Sequence, residues 1–113
     1  MGLLGSVLKA IADSKGTEKV SLKEAAEKAP DTIGCYKVFL VGELKYVGKS
    51  KFGLRKRFGE FYNGTILYSA QEKKIHKNRE NIEVSWIALR SLEECNRVER
   101  LWISKHKPEW NKD

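Results

Sequence analysis

The stretch IGCYKVFLVGELKYVGKS, residues 33–50, predicts a β-hairpin and decides how the rest of the chain is interpreted. An apolar strand leads to a turn at Gly42-Glu43, and a second strand follows it and ends in a Gly-Lys-Ser sequence. Tyr36 and Tyr46 lie ten residues apart, one on each predicted strand. Valines alone would satisfy the packing of such a hairpin, so the two phenols call for another explanation.

Helices and one further strand are predicted around this hairpin from hydrophobic spacing and from three capping boxes. The predicted helices cover residues 3–11, 22–29, 52–62, 70–78 and 92–106, and the additional strand covers residues 82–90. This order predicts an α+β domain with a small, mostly antiparallel three-stranded sheet flanked by helices. We expect a helical extension over residues 1–27 and the main domain over residues 28–113.

Basic residues are concentrated in one part of the chain, which has 113 residues and a formal net charge of +7. Between Lys49 and Arg79, nine basic residues face only two acidic ones, Glu60 and Glu72, so this span carries essentially all of the excess charge. Such a field favours a polyanionic partner, because neutralised phosphates release counterions. A solubilising surface would also explain the charge taken alone.

The composition argues against a membrane protein and against a disulfide-stabilised one. The longest apolar runs, residues 38–41 and 86–89, are far shorter than the roughly 20 residues that a membrane helix needs. Cys35 and Cys95 are too few for a disulfide framework, and no histidine or cysteine lies at zinc spacing near them. We therefore expect two small buried thiols in a reducing cytoplasm.

One acidic residue, Glu99, falls inside the apolar arc of the last predicted helix. At about 100° per residue it projects between Cys95 and Leu92, whereas Glu93 and Glu94 lie outside the arc or at its edge. Desolvating a carboxylate is costly unless a cation compensates it. Two interpretations stay open: a structural ion pair, or a carboxylate that holds a divalent metal in a cleft.

Hydrolysis of a phosphodiester also needs a guanidinium on the phosphate and a base for the attacking water. Arg57 and Arg55 border the two sides of the apolar face of one predicted helix, so periodicity does not choose between them. Both arginines would also be ordinary as solvated basic positions.

These residues, in this order, resemble the GIY-YIG nucleases, whose name quotes two strand motifs about ten residues apart. The matching positions are Gly34-Cys35-Tyr36, Tyr46-Val47-Gly48, Lys49, Leu54-Arg55-Lys56-Arg57, Glu99, Pro108 and Asn111. The resemblance spans about residues 28–112 and is closest to small stand-alone members of the family. Cys35 replaces the isoleucine of the first motif and faces away from the Tyr36 side of the strand, so only packing should change.

The resemblance implies a metal-dependent endonuclease that hydrolyses DNA and leaves 5′-phosphate and 3′-hydroxyl ends. By this resemblance, Tyr36 and Tyr46 line the site, and one of them acts as or assists the general base. Arg57 binds the scissile phosphate, and Glu99 is the only protein ligand of one Mg²⁺ or Mn²⁺. Lys49 lies near the nucleophile, and Asn111 braces the site. An aromatic residue or histidine usually follows one turn after the arginine. Phe61 takes that place here, and we choose the neighbouring Tyr62 for the role.

Further basic or glycine positions are expected to contact the nucleic acid, namely Gly48, Lys51, Arg55, Lys56, Lys73, Lys74 and Lys77. A tyrosine that serves as a base near neutral pH needs its pKa lowered by about three units. We expect Lys49, Arg57 and the metal to lower it.

Two other functions remain open alongside the nuclease. One is a non-catalytic nucleic-acid-binding module of the same fold, and the other is an enzyme or binding domain directed to RNA. A homodimer formed through the N-terminal helix would allow both strands of a duplex to be cut.

Overall fold

The computed structural model describes residues 17–111. The predicted helix over residues 3–11, and the homodimer through it, lie outside the described residues. The elements are β1 Val20–Ser21, α1 Leu22–Lys28, β2 Gly34–Leu40, β3 Glu43–Ser50, α2 Leu54–Asn63, α3 Ala70–Lys77, β4 Ile82–Ala88 and α4 Leu92–His106, with short 3₁₀ helices at Arg79–Asn81 and Glu109–Asn111.

The serine half of each predicted capping box forms. Ser21, Ser69 and Ser91 each accept a hydrogen bond from the backbone N–H three residues later. At the other end of α2, Gly64 adopts a left-handed conformation and ends the helix. The helices at 22–29, 52–62, 70–78 and 92–106 are confirmed to within two residues at each end.

Among residues 17–111 the sheet has four strands in the order β1-β4-β2-β3, and all their pairings are antiparallel. The prediction of three strands was wrong by one. The missing strand, β1, is only two residues long, too short to show the alternation by which a strand is recognised in sequence. It pairs with β4 at one edge of the sheet and leads directly into α1. The strand β3 forms the opposite edge.

The hairpin turn consists of Val41 and Gly42, one residue earlier than predicted. Both residues have positive φ angles, 51° and 79°, as a two-residue hairpin turn requires. Glu43 already belongs to β3. The shift by one residue reflects Val41, a β-branched side chain in a conformation that sequence rules assign to glycine or asparagine.

The sheet is covered on both faces. One core contains α1, α2 and α3 against Tyr36, Val38 and Val84, and the other contains Val98 and Trp102 of α4 against the opposite face. Because neighbouring strand residues point to opposite faces, Cys35 lies in the second core and Tyr36 in the first. Cys35 and Cys95 are both buried free thiols.

The helix α1 contributes to the first core. Leu22 and Ala25 are fully buried there, together with residues of α2. The predicted division between residues 27 and 28 thus falls inside α1, and the described part of residues 17–27 packs on the same core as the strands. No helix within residues 17–111 combines the length and apolarity that a membrane crossing requires.

Candidate active site

A cleft of about 720 Å³ opens at the β3 edge of the sheet, where helices from the two faces meet. Its lining residues are Lys49, Ser50, Lys51, Phe52, Gly53, Lys56, Arg57, Glu60, Ile66, Tyr68, Glu72, Leu92 and Asn96. The residues from α2 and α3 form one wall, and the end of β3 with the start of α4 forms the other. Because β3 is an edge strand, no further strand fills the space between the two walls.

The α2–α3 wall centres on Arg57, which is only 8% exposed. Its Nη1 donates to Glu60 Oε1 at 2.8 Å and to the carbonyl of Ile66 at 2.9 Å, and its Nη2 lies 2.5 Å from Glu72 Oε1. Burial alone would lower the pKa of Arg57, but its bonds to Glu72 and Glu60 outweigh burial and raise it. The guanidinium is therefore charged and fixed in place, with two of its five N–H groups left for a ligand or for Tyr36.

Tyr36 lies beneath this guanidinium and is 1% exposed. Its ring packs edge-on against Phe58 and Phe61, with centroids 5.5 and 5.7 Å away. Burial raises the pKa of Tyr36 well above its ordinary value, and Arg57 only partly opposes this effect. A Cβ at Gly48 would overlap the Tyr36 phenol, so the glycine of the second motif makes room for the tyrosine of the first.

Tyr46 lies next to Tyr36 on the neighbouring strand, with ring centroids 6.4 Å apart. Burial, together with the charges of Glu72 and Glu99, raises the pKa of Tyr46 to about 12, against a smaller opposing effect of Arg57. In the protein without a metal the pKa of Tyr46 is therefore raised, and the lowering expected from Lys49, Arg57 and a metal together stays a prediction. The physical reason for the rise is that burial and two carboxylates together outweigh the one guanidinium that acts on this phenol.

The β3–α4 wall carries Glu99, whose carboxylate Oε1 accepts a hydrogen bond from Lys49 Nζ at 3.0 Å. The Glu99 side chain is 20% exposed and that of Lys49 is 37% exposed. Glu99 is thus largely withdrawn from bulk water and is bonded to Lys49, which lines the cleft, although Glu99 itself is not one of the lining residues. Glu99 raises and Arg57 lowers the pKa of Tyr46, so charged groups from both walls act on this phenol.

The donor set at Glu99 fits a hard, hydrated cation. Within residues 17–111 there is no group of three or more histidine, cysteine or acidic side chains that could form a complete cage. Mg²⁺ keeps several of its waters and needs only one or two carboxylates besides substrate phosphates. The partly buried Glu99 carboxylate, next to an open cleft, meets that requirement. In the structure the Lys49 ammonium supplies the positive charge that a bound cation would supply.

Asn111 supports the same edge from outside. Its Oδ1 accepts from the N–H of Val47 at 2.8 Å, and its Nδ2 donates to the carbonyl of Val47 at 2.9 Å. This amide therefore pairs with β3 as a neighbouring strand would. Trp110, next in the chain, is buried in the first core and anchors the segment. The bracing role expected for Asn111 stays a prediction, which these two hydrogen bonds support.

The structure distinguishes Arg57 from Arg55. Arg55 is turned away from the cleft lining, and its Nη2 lies 3.7 Å from Asp31 Oδ2. Tyr62 also lies elsewhere, because its hydroxyl donates to Glu80 at 2.9 Å. Gly48 is buried beneath Tyr36, which corrects the expectation that it touches the nucleic acid.

The predicted lysines divide into two groups. Lys51 and Lys56 line the cleft, whereas Lys73, Lys74 and Lys77 are exposed on α3 outside the lining. Lys74 extends its ammonium to 5.8 Å from the centroid of the Trp110 ring.

Sequence reasoning missed nine of the thirteen lining residues, and four of the nine, Glu60, Glu72, Phe52 and Tyr68, bear on the chemistry of the cleft. Glu60 and Glu72 had counted only as opposing charges, although the three-residue spacing of Arg57 and Glu60 on one helix was a usable signal. Phe52 and Tyr68 line the cleft while exposed by 72% and 79%. Both lie in connecting segments, where hydrophobic periodicity gives no information.

No protein-family model matches this sequence. No curated protein matches it either. Among solved structures the match is clear, and the chain has the GIY-YIG fold.

One matching structure is the GIY-YIG N-terminal endonuclease domain of UvrC from Thermotoga maritima, a tyrosine-to-phenylalanine point mutant bound to its catalytic divalent cation. It aligns with a TM-score of 0.65 and 23% identity over 81% of this chain and 96% of that one. The magnesium-bound form of the same domain aligns with a TM-score of 0.64 and 22% identity, over 80% of this chain and 94% of that one. The α+β class and the resemblance in fold are thereby confirmed.

Proposed function

We propose that the protein is a metal-dependent endonuclease that hydrolyses DNA phosphodiester bonds and leaves 5′-phosphate and 3′-hydroxyl ends. One observation carries the proposal: the Tyr46 phenol is subject to the charges of both a buried guanidinium of the cleft lining, Arg57, and a carboxylate, Glu99, that is bonded to the cleft lysine Lys49. This combination offers a phosphate ligand, a metal ligand and a group that orients water at one edge of a sheet. The UvrC domain of the same fold binds a catalytic divalent cation, which supports the assignment.

Glu99 would hold one Mg²⁺ or Mn²⁺, and the cation would offset the negative charge that develops on the phosphate oxygens. Lys49 would then leave the Glu99 carboxylate and turn toward the phosphate or the attacking water. Arg57 keeps its carboxylate partners and presents its remaining N–H groups to a non-bridging phosphate oxygen. Water attacks phosphorus and gives up one proton, the bond from phosphorus to O3′ breaks, and O3′ takes up a proton and leaves as the 3′-hydroxyl, so that one water is consumed for each bond cut.

The two tyrosines take different parts in this scheme. Tyr36 is enclosed by Phe58 and Phe61 and supports Arg57 from below. Tyr46 is less buried, and its raised pKa keeps the phenol protonated at neutral pH in the protein alone. It therefore orients the attacking water through its hydroxyl, and it becomes a proton acceptor only where added positive charge lowers its pKa.

Plasmid nicking with Mg²⁺ or Mn²⁺ tests the proposal. Wild-type protein should nick the plasmid, and Glu99→Ala and Arg57→Ala should each lower the rate by about 100-fold or more. The exposed pair Glu93 and Arg97 on α4 supplies matched controls, since Glu93→Ala and Arg97→Ala remove the same groups outside the cleft. Cutting that survives both cleft substitutions would end the assignment.

The bonds that the Arg57 guanidinium already makes within the protein favour a second candidate function. Because Glu60, Glu72 and Ile66 already occupy three of its N–H groups, the residue also suits a purely structural role. In that case the protein is a non-catalytic nucleic-acid-binding module of this fold. It would bind DNA with a steep dependence on salt and cut nothing with either metal.

A further inference from the structure

The exposed apolar surface of the protein is concentrated at the cleft. Six large hydrophobic side chains are exposed among residues 17–111, and four of them line it, namely Phe52, Ile66, Tyr68 and Leu92. The other two, Val41 at the hairpin turn and Leu101 on α4, lie outside the lining. A cleft that only held phosphates would need no such surface, so its ligand also has an apolar part.

Phe52 is the most informative member of this group. It lies in the segment between β3 and α2, its ring is 72% exposed, and two ammonium groups lie over the ring. Lys51 Nζ is 5.2 Å and Lys56 Nζ 5.7 Å from the ring centroid. Within residues 17–111 neither lysine forms an ion pair, so both charges are available to an anion close to a flat apolar ring.

Tyr68 supplies a second ring on the other wall. The Arg57 guanidinium lies 5.2 Å from its centroid, and the Tyr68 backbone N–H donates to Glu72 Oε1 at 2.7 Å. The residue is thus tied at its backbone to the fixed wall while its side chain is 79% exposed. The cleft lining thus includes two exposed aromatic rings, Phe52 and Tyr68.

A flat ring beside free cations suits a base with its attached phosphate, and stacking of this kind is how proteins hold single strands. In a duplex both faces of a base are already stacked on neighbouring bases, so the ring gains nothing without disrupting them. The cleft volume, about 720 Å³, lies in the range of pockets that hold one small ligand.

We propose that the cleft takes an unpaired nucleotide, whose base stacks on Phe52 and whose phosphate contacts Lys51 and Lys56. The preferred substrate is then DNA with a single-stranded or unpaired segment at the cut, and intact duplex is a poorer one. This inference rests on the proposed function in that the ligand of the cleft is DNA. A peptide or a second copy of the chain is disfavoured, because the free charges at the ring are all positive.

Binding without cleavage tests the inference. Fluorescence anisotropy in EDTA compares labelled oligothymidylate with a duplex of equal length, for wild type, Phe52→Leu and Phe52→Trp. Phe52→Leu removes the ring but keeps an apolar side chain, and Phe52→Trp keeps a ring. Leu101→Ala is the matched control, because it removes an exposed apolar side chain outside the cleft.

We expect wild type to bind the single strand more tightly than the duplex. Phe52→Leu should lose roughly ten-fold in single-strand affinity, the scale of one stacked base, and much less in duplex affinity. Phe52→Trp should retain the preference, and Leu101→Ala should leave both affinities unchanged. Circular dichroism confirms that each variant is folded.

Equal loss on both ligands, no loss in Phe52→Leu, or tighter duplex binding by wild type would each overturn the inference. Because EDTA removes catalysis from this measurement, its result is independent of the plasmid-nicking test. A protein that binds unpaired DNA through Phe52 but never cuts would support the inference and contradict the nuclease assignment. A protein that nicks plasmid without Phe52-dependent binding would do the reverse.

Discussion

The two walls of the cleft hold charged groups in opposite ways. On the α2–α3 wall, Arg57 is 8% exposed and is bound by Glu60, Glu72 and a backbone carbonyl. On the β3–α4 wall, Lys49 and Glu99 form one ion pair with side chains 37% and 20% exposed. The first wall resembles a structural cluster, and the second resembles a pair that can be exchanged.

This difference follows from where each wall comes from. Glu60 lies one turn after Arg57 on the same helix, and Glu72 reaches it from α3, so the guanidinium is held from two directions. Glu99 meets its partner across the gap between a strand edge and a helix on the other face of the sheet. A buried, multiply bonded charge is costly to disturb, whereas a half-exposed pair is worth little and is readily replaced by a metal. The α2–α3 wall therefore holds its guanidinium in a fixed position, whereas the β3–α4 wall has an ion pair whose ammonium a metal can replace.

Of the substitutions considered, removal of Glu72 from the α2–α3 wall should lower the free energy of unfolding most. Glu72→Ala leaves Arg57 with one fewer counter-charge and the Tyr68 N–H without its acceptor, so the free energy of unfolding should fall by about 3 kcal/mol. Urea denaturation followed by circular dichroism measures it. Glu93→Ala removes an exposed carboxylate that pairs with Arg97 on α4, and this control should cost less than about 1 kcal/mol.

Arg57→Lys tests whether the α2–α3 wall needs a guanidinium and not only a positive charge, because lysine keeps the charge but loses the forked geometry. A lysine cannot satisfy Glu60, Glu72 and the Ile66 carbonyl together, so a phosphate would meet a misplaced cation. We expect plasmid nicking to slow by about 100-fold. Arg97→Lys serves as the control for the same exchange elsewhere. Equal rates for the two variants would show that the guanidinium of the fixed wall takes no part in cutting.

Tyr46, on which charged groups of both walls act, should make stability depend on pH. Because the pKa of Tyr46 rises to about 12 in the folded protein, the unfolded chain, whose tyrosine titrates near 10, releases its proton first. The stabilisation is complete below pH 10 and is lost as pH rises toward 12, by an amount on the order of 2 kcal/mol. Comparing urea unfolding of wild type and Tyr46→Phe across that range isolates Tyr46, because both proteins share the titrating lysines. Parallel curves would mean that the phenol is not held as described.

The exchangeable wall should contribute least to stability. Glu99→Gln removes the charge from a pair that is partly exposed, and the free energy of unfolding should change by less than about 1 kcal/mol. Urea denaturation at low and at high salt measures this, and the difference between the proteins should shrink as salt is added. A loss as large as that of Glu72→Ala would place Glu99 among the structural residues.

The sequence was most informative where local rules operate. Caps at Ser21, Ser69 and Ser91 marked the helix starts, and Glu99 was identified because it interrupted a periodic apolar arc. The edge strand β1 was missed because two residues carry no period.

Properties that depend on distant residues could not be predicted. Periodicity could not choose Arg57 over Arg55, and only the family resemblance favoured Arg57, because the contact that fixes Arg57 comes from Glu72 on another helix. The direction of the Tyr46 pKa shift depends on burial and on Glu72 and Glu99, which approach from other elements. The aromatic residues Phe52 and Tyr68 belong to connecting segments whose placement only the folded chain determines.

Manganese binding tests the central claim most directly, namely that one wall is fixed and the other exchanges its ammonium for a metal. The amount of free Mn²⁺ can be followed by electron paramagnetic resonance as it is titrated into wild type, Glu99→Gln and Glu60→Gln. The account predicts that Glu60→Gln binds Mn²⁺ as wild type does and that Glu99→Gln loses the site. Binding that persists in Glu99→Gln, or that disappears in Glu60→Gln while the protein stays folded, would contradict it.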